Sequence, residues 1–131
     1  MLLIKNGHIK PIVGAELENG SILIDNGKIV AIGETLEVPT DVDIIDAGGR
    51  LVTPGCVEAH CHIGLHNQSM RWEGADYNES ADPITPHMRA IDAFNPMDPA
   101  LSEAIRGGVT TACTGPGSAN VVGGTFMIAK L

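Results

Sequence analysis

Along the first 53 positions, apolar residues fall in short runs separated by small polar turns, with no helical period of useful length. The stretch "LLIKNGHIK" begins apolar and meets a turn at Asn6-Gly7. "SILIDNGKIVAIG" reads as two β-rich runs around Asp25-Asn26-Gly27-Lys28, a strong hairpin signal. "VDIIDAGGRLVTPG" repeats the pattern with Gly48-Gly49 as its turn. These runs predict a small β-sandwich segment over residues 1–53.

From Val52 the pattern changes. "CVEAHCHI" is a continuous, mostly apolar strand of the kind buried on both faces in parallel sheets. A long loop without periodicity follows, roughly from Gly64 to Pro96, and loops of that length are functional or disordered. "MDPALSEAIRGG" then carries helix signals in order: Asp98 as cap, Pro99 at the first helical position, Leu101, Ala104 and Ile105 on one face, and Gly107-Gly108 as terminator. "VTTACT" is a β-branched strand, so strand, loop, helix and strand form a βαβ unit. The chain closes on "GPGSANVVGGTFMIAKL", a glycine-rich loop leading into an apolar segment. The fold class expected is α/β: an N-terminal β-sandwich segment over 1–53, then over 54–131 the first β/α units of an incomplete TIM-type (β/α)8 barrel.

Composition narrows the partners. A formal charge of −8 without a basic cluster argues against nucleic acid and anionic membrane, because phosphate contacts need Lys and Arg on one face. No stretch approaches the ~20 apolar residues of a membrane span, and "MLLIKNGHIK" lacks the features of a signal peptide, so the expected location is cytoplasmic. Cys56, Cys61 and Cys113 form no C-x-x-C pair and sit in apolar runs; buried reduced thiols are expected.

The chemistry concentrates in "TPGCVEAHCHIG". Side chains alternate along a strand, so Cys56, Glu58, His60 and His62 share one face, while Val57, Ala59, Cys61 and Ile63 share the other. The second face would pack against helices, which makes Cys61 a packing residue directed away from both histidines. The first face holds a carboxylate and two imidazoles, costly to bury unless paired or bound to a cation. Imidazoles at i and i+2 are close enough to hold one divalent ion, and neutral imidazole suits Zn, Fe, Ni or Mn better than Mg or Ca. Two ordinary half-buried histidines would give the same spacing.

The longer context resembles the amidohydrolase superfamily, whose members have an N-terminal β segment ending in a Pro-Gly turn and then H-x-H at the end of the first barrel strand. "IKNGHI" and "ILIDNGKIVAIG" look like the family's hairpins, "IIDAGGRLVTPG" like its Pro-Gly turn, and "AIRGGVTTACTGPGSAN" like its first helix and second strand. The loop "DPITPHMRAIDAFNPMDPA" is similar to a bacterial subgroup related to imidazolonepropionase. The resemblance implies that His60 and His62 are ligands of the more buried metal of a mono- or binuclear centre, most naturally zinc. In such a centre, metal-activated water hydrolyses a non-peptide C–N bond such as that of a cyclic amide. Glu58 stands where the family more often has Asp, and Cys56 where it tends to carry a bulkier apolar residue.

His66, in the loop after this strand, occupies a position where barrel enzymes place substrate-contacting groups, although loop histidines are also common at surfaces. His87, Arg89 and Asp92 suit a lid, a subunit contact or a solvated turn. Glu73, Asp76, Glu79 and Asp82 do not match the EF-hand pattern. "GPGSANVVGGT" is neither of the common phosphate-binding glycine motifs; its backbone is expected to shape the pocket.

At 131 residues the chain falls well below the ~250 of a complete (β/α)8 barrel. The resemblance places the remaining metal ligands and the general base on later strands. No catalytic residue is therefore assigned within this chain, which is expected to be inactive alone and to associate with a complementing chain or with itself. The competing expectation is a non-catalytic β-rich binding or assembly domain with a vestigial H-x-H.

Overall fold

The computed structural model describes residues 1–131, which divide into two compact units, Met1–Pro54 and Gly55–Leu131. Unit one is a single mixed sheet built from β1 (Leu2–Ile9), β2 (Leu17–Asp25), β3 (Lys28–Gly33), β4 (Asp43–Asp46) and β5 (Leu51–Val52). The order is β3-β2-β1-β4, with β5 also beside β1. The β2–β3 hairpin turns at Asn26 and Gly27, both at positive φ (48° and 73°), which matches the right-handed twist of the strands it joins.

Two expectations need correction here. The unit is one sheet rather than a sandwich, with Leu3, Ile9, Ile22, Leu23 and Ala47 buried on it. Other apolar residues stay open, Ile29 and Ile32 among them, and with Ile9, Ile22, Val52 and Pro54 they line an apolar cleft of about 180 Å³. Asn6-Gly7 is also not a turn. β1 runs straight through it as a bulge, with Asn6 at φ 55° and the register against β2 shifting on either side of Gly7.

The bulge has a counterpart across the ladder. β4 and β5 both run parallel to β1 and form one interrupted strand beside it. The interruption at residues 47–50 falls opposite the bulge. Gly49 N–H donates to the Asn6 carbonyl at 2.7 Å, and the Asn6 side-chain amide donates to Asp46 Oδ2 at 2.9 Å. Asp46 Oδ1 accepts from Gly48 N–H, closing the kink.

Unit two is a three-stranded sheet of order β6-β7-β8: β6 (Cys56–Cys61), β7 (Val109–Thr114) and β8 (Met127–Lys130). β6 and β7 are parallel and joined through α2 (Pro99–Arg106), whose boundaries follow the sequence signals closely. Asp98 caps it by accepting from Ala100 N–H, Pro99 opens it, and Gly107-Gly108 ends it, with Gly108 at φ 89°. The final apolar segment, β8, returns antiparallel to β7, so it does not add a third parallel strand, and no closed barrel is formed.

The strand expected to be buried on both faces is open. Val57 is 68% exposed: β6 is the edge strand of the β6-β7-β8 order, and α2 packs against β7. Cys56 is exposed, against the expectation of a buried thiol, while Cys61 and Cys113 are half-buried, with the Cys61 Sγ 3.6 Å from the Cys113 carbonyl.

The long loop is ordered by pairing. Ile84 bridges Val122 and Arg89 bridges Thr125, with a 3₁₀ turn at Arg71–Gly74 and a short α1 (Ala90–Ala93) within it. The glycine-rich segment is what allows the approach: a Cβ at Gly124 would collide with the Met88 backbone, and one at Gly117 with Tyr77 and Asn78. No helix is long and apolar enough to cross a membrane.

Candidate metal centre

His60 is near the end of β6 and His62 just past it, while Gly115 follows directly on β7. Because β6 and β7 are parallel, these residues meet at one edge of the sheet, outside the carboxyl ends of both strands. Gly115 N–H donates to the Cys61 carbonyl at 3.1 Å, which extends the ladder to this point.

The ladder is irregular at the histidines. Glu58 pairs with Ala112 and Cys61 with Thr114, so β6 carries one more residue than β7 over this interval, a bulge at Ala59-His60. Bulges leave a backbone group unpaired and re-aim side chains. Here the Glu58 carboxylate takes up His60 N–H at 3.0 Å. Glu58, singled out as an acid two positions before the first histidine, is therefore a local brace for the bulged backbone.

The two imidazoles are brought together. Their ring centroids are 5.5 Å apart at 83°. Two imidazoles on one tetrahedral ion, with metal–nitrogen bonds of ~2 Å, place their centroids roughly 5 Å apart, so the spacing suits a shared ion. His62 is further constrained: its Nδ1 donates to the Gly115 carbonyl at 2.6 Å. With the proton held at Nδ1, Nε2 keeps its lone pair free, the arrangement in which a metal-binding histidine has its other nitrogen tied to a carbonyl. The donor chemistry thus fits two positions of a divalent metal's shell. No group of three or more His, Cys, Asp or Glu side chains lies close enough together to hold an ion.

Aromatic rings back both histidines. Tyr77, from the long loop, stacks on His62 with centroids 5.1 Å apart and 16° between planes, and Phe126 lies 5.0 Å from His60 at 48°. Gly115 has to be glycine for this packing, since a Cβ there would enter the Phe126 ring. Thr114, fully buried, donates its hydroxyl to the Ile63 carbonyl at 2.8 Å and fixes the chain just past His62.

His66, the substrate-side candidate, is exposed; its ring lies 5.3 Å from Tyr77, so it neighbours the histidine pair through that tyrosine. Arg89 and Asp92 form a bidentate pair on the surface, which raises the arginine's proton affinity and lowers that of the carboxyl. His87 is exposed, and the loop carboxylates form no cluster. A cleft of about 50 Å³ lined by Leu65, Tyr77, Glu79, Arg89, Pro116 and Asn120 lies on the loop side of Tyr77 and does not include His60 or His62.

The residues that sequence reasoning missed are Tyr77, Phe126 and the Gly115 carbonyl. The first two were visible only as rare aromatics in a chain where such residues make up 3% of positions. The third lies in the glycine-rich segment whose backbone is expected to shape the pocket, an expectation that singled out no residue.

No protein-family model matches the chain. Individual relatives do. It is 39% identical over 114 residues to amidohydrolase tasK of Hapsidospora irregularis, covering 85% of this chain and 12% of that protein. It is 36% identical over 116 residues to dihydroorotase of Staphylococcus aureus, covering 88% of this chain and 22% of the relative. Among solved structures, an amidohydrolase from Thermotoga maritima superposes with a TM-score of 0.91 at 43% identity, over 99% of this chain and 33% of that one. The chain therefore spans a third or less of the length of these relatives. It is homologous to amidohydrolases and dihydroorotases of the amidohydrolase superfamily and corresponds to their N-terminal region.

Proposed function

We propose that this chain supplies the first metal-binding strand of a hydrolase acting on a non-peptide C–N bond. The observation that carries the reading is the His60–His62 pair at the strand ends, with His62 Nδ1 engaged by Gly115 and Nε2 left free. Its support from relatives is the likeness, over almost the whole chain, to a solved amidohydrolase.

His60 and His62 would hold a divalent ion through imidazole nitrogens, most naturally zinc, with iron, nickel or manganese also compatible with that donor set, in a mono- or binuclear centre. When bound, such an ion supplies an activated water and polarises the scissile carbonyl. This chain's own residues hold the two imidazoles at the sheet edge, fix the His62 proton at Nδ1 through Gly115, and brace the His60 backbone through Glu58.

Two imidazoles without a further ligand bind an ion weakly, so hydrolysis requires groups beyond these. A complementing polypeptide or self-association is the proposed source. The substrate is a small molecule with a cyclic amide or related C–N bond; the finer likeness to imidazolonepropionase-related enzymes rests on the loop "DPITPHMRAIDAFNPMDPA" alone. Metal content of the purified chain beside a His60→Ala/His62→Ala double variant tests the proposal. Equal trace metal in both would favour a non-catalytic β-rich module.

A further inference from the structure

An imidazole tied to a backbone carbonyl through one nitrogen can still pivot about that hydrogen bond. A flat neighbour removes the pivot. Tyr77 is such a neighbour, nearly parallel to His62 at 16° with a centroid separation inside the range of offset stacks. Its own backbone is pinned on both sides. Asp76 N–H donates to the Leu65 carbonyl at 2.9 Å, and Gly117 N–H donates to the Tyr77 carbonyl at 2.6 Å. Gly117 has no room for a Cβ, which would meet the Tyr77 ring, so loop and glycine-rich segment close on each other around this side chain. Phe126 does not do the same for His60: it is tilted by 48° and exposed, whereas Tyr77 is half-buried.

We infer that Tyr77 is a positioning residue, setting the plane of the His62 ring while Gly115 sets its tautomer, so that Nε2 is presented beside His60. The inference rests on the reading of His60 and His62 as metal ligands. It assigns a task in the site to the long loop, which otherwise contributes no group to the imidazole pair. The tyrosine hydroxyl has no role in it, so the flat ring alone is required.

The test compares the whole chain with Tyr77→Phe, which keeps the ring, and with Tyr77→Ala and Tyr77→Leu, the leucine retaining bulk should alanine fail to fold. Co²⁺ binding is measured by titration and by its visible spectrum, with His60→Ala/His62→Ala as control. The His62 tautomer is read by nitrogen NMR in the metal-free protein. Loss of an outer-shell partner weakens metal binding about 10–100-fold, and that is expected for the leucine or alanine variant, together with a mixture of His62 tautomers, because a ring free to turn out of plane weakens the Gly115 hydrogen bond that selects one. Tyr77→Phe should bind within about twofold of wild type and keep the proton at Nδ1. The inference is overturned if a folded variant without the ring keeps wild-type affinity and a single tautomer, or if Tyr77→Phe is as impaired as leucine. If wild type and the double variant take up the same Co²⁺, the metal reading fails, and the metal-free NMR comparison alone decides whether Tyr77 holds the ring.

Discussion

His62 and Gly115, just past the carboxyl ends of neighbouring parallel strands, are joined by a 2.6 Å hydrogen bond from Nδ1 to the main-chain carbonyl. That bond selects which imidazole nitrogen is free, and the same Gly115 admits the Phe126 ring, which a Cβ there would meet.

Gly115→Ala should therefore destabilise the second unit by about 1–3 kcal/mol, the usual cost of overpacking. Urea denaturation measures the loss, and proton NMR should show the Phe126–His60 contact weakened. An unchanged midpoint and an unchanged contact would mean that the ring yields without cost.

Asp98 is 2% exposed and accepts from both Ala100 N–H and Gln68 N–H, so it caps α2 and ties the loop to it. Asp98→Ala should cost about 1–2 kcal/mol, with Asp98→Ser recovering part of it. Thermal melts followed by circular dichroism would show this as a lower midpoint for alanine than for serine.

The kink between β4 and β5 should be pH-sensitive. The Asn6 amide, the Gly48 N–H and the nearby Lys5 and Arg50 charges hold the Asp46 carboxyl below its ordinary value of 3.8. A depressed folded-state pKa contributes stability that is present above the ordinary value and lost as pH falls through the folded one. Protection of the Gly48 and Gly49 amides, taken relative to their intrinsic exchange at each pH, should fall as the pH drops below 3.8, and Asp46→Asn should flatten that dependence. A wild-type profile as flat as the variant's would count against the role of the carboxylate.

What could be read from sequence was local. Asn26-Gly27 announced its hairpin through backbone chemistry confined to the turn, and Asp98-Pro99 with Gly107-Gly108 marked both ends of α2. The same Asn-Gly signal misled at Asn6, because the partner that makes it a bulge is Asp46, 40 positions away. The direction of β8 and the exposure of β6 depend on which neighbours are present, and an apolar run carries no record of that. H-x-H was legible as two imidazoles on one face of a strand; the bulge that Glu58 braces and the stacking of Tyr77 were not, since both arise from pairings between distant segments.

His60 and His62 are proposed to bind a divalent metal together. The most direct measurement is zinc stoichiometry and affinity of the purified chain beside His60→Ala, His62→Ala and the double variant, by metal analysis and competitive titration. Zinc should be bound by wild type, with either single change reducing affinity as severely as both, because one imidazole cannot hold the ion. Wild-type zinc content indistinguishable from that of the double variant would contradict shared binding.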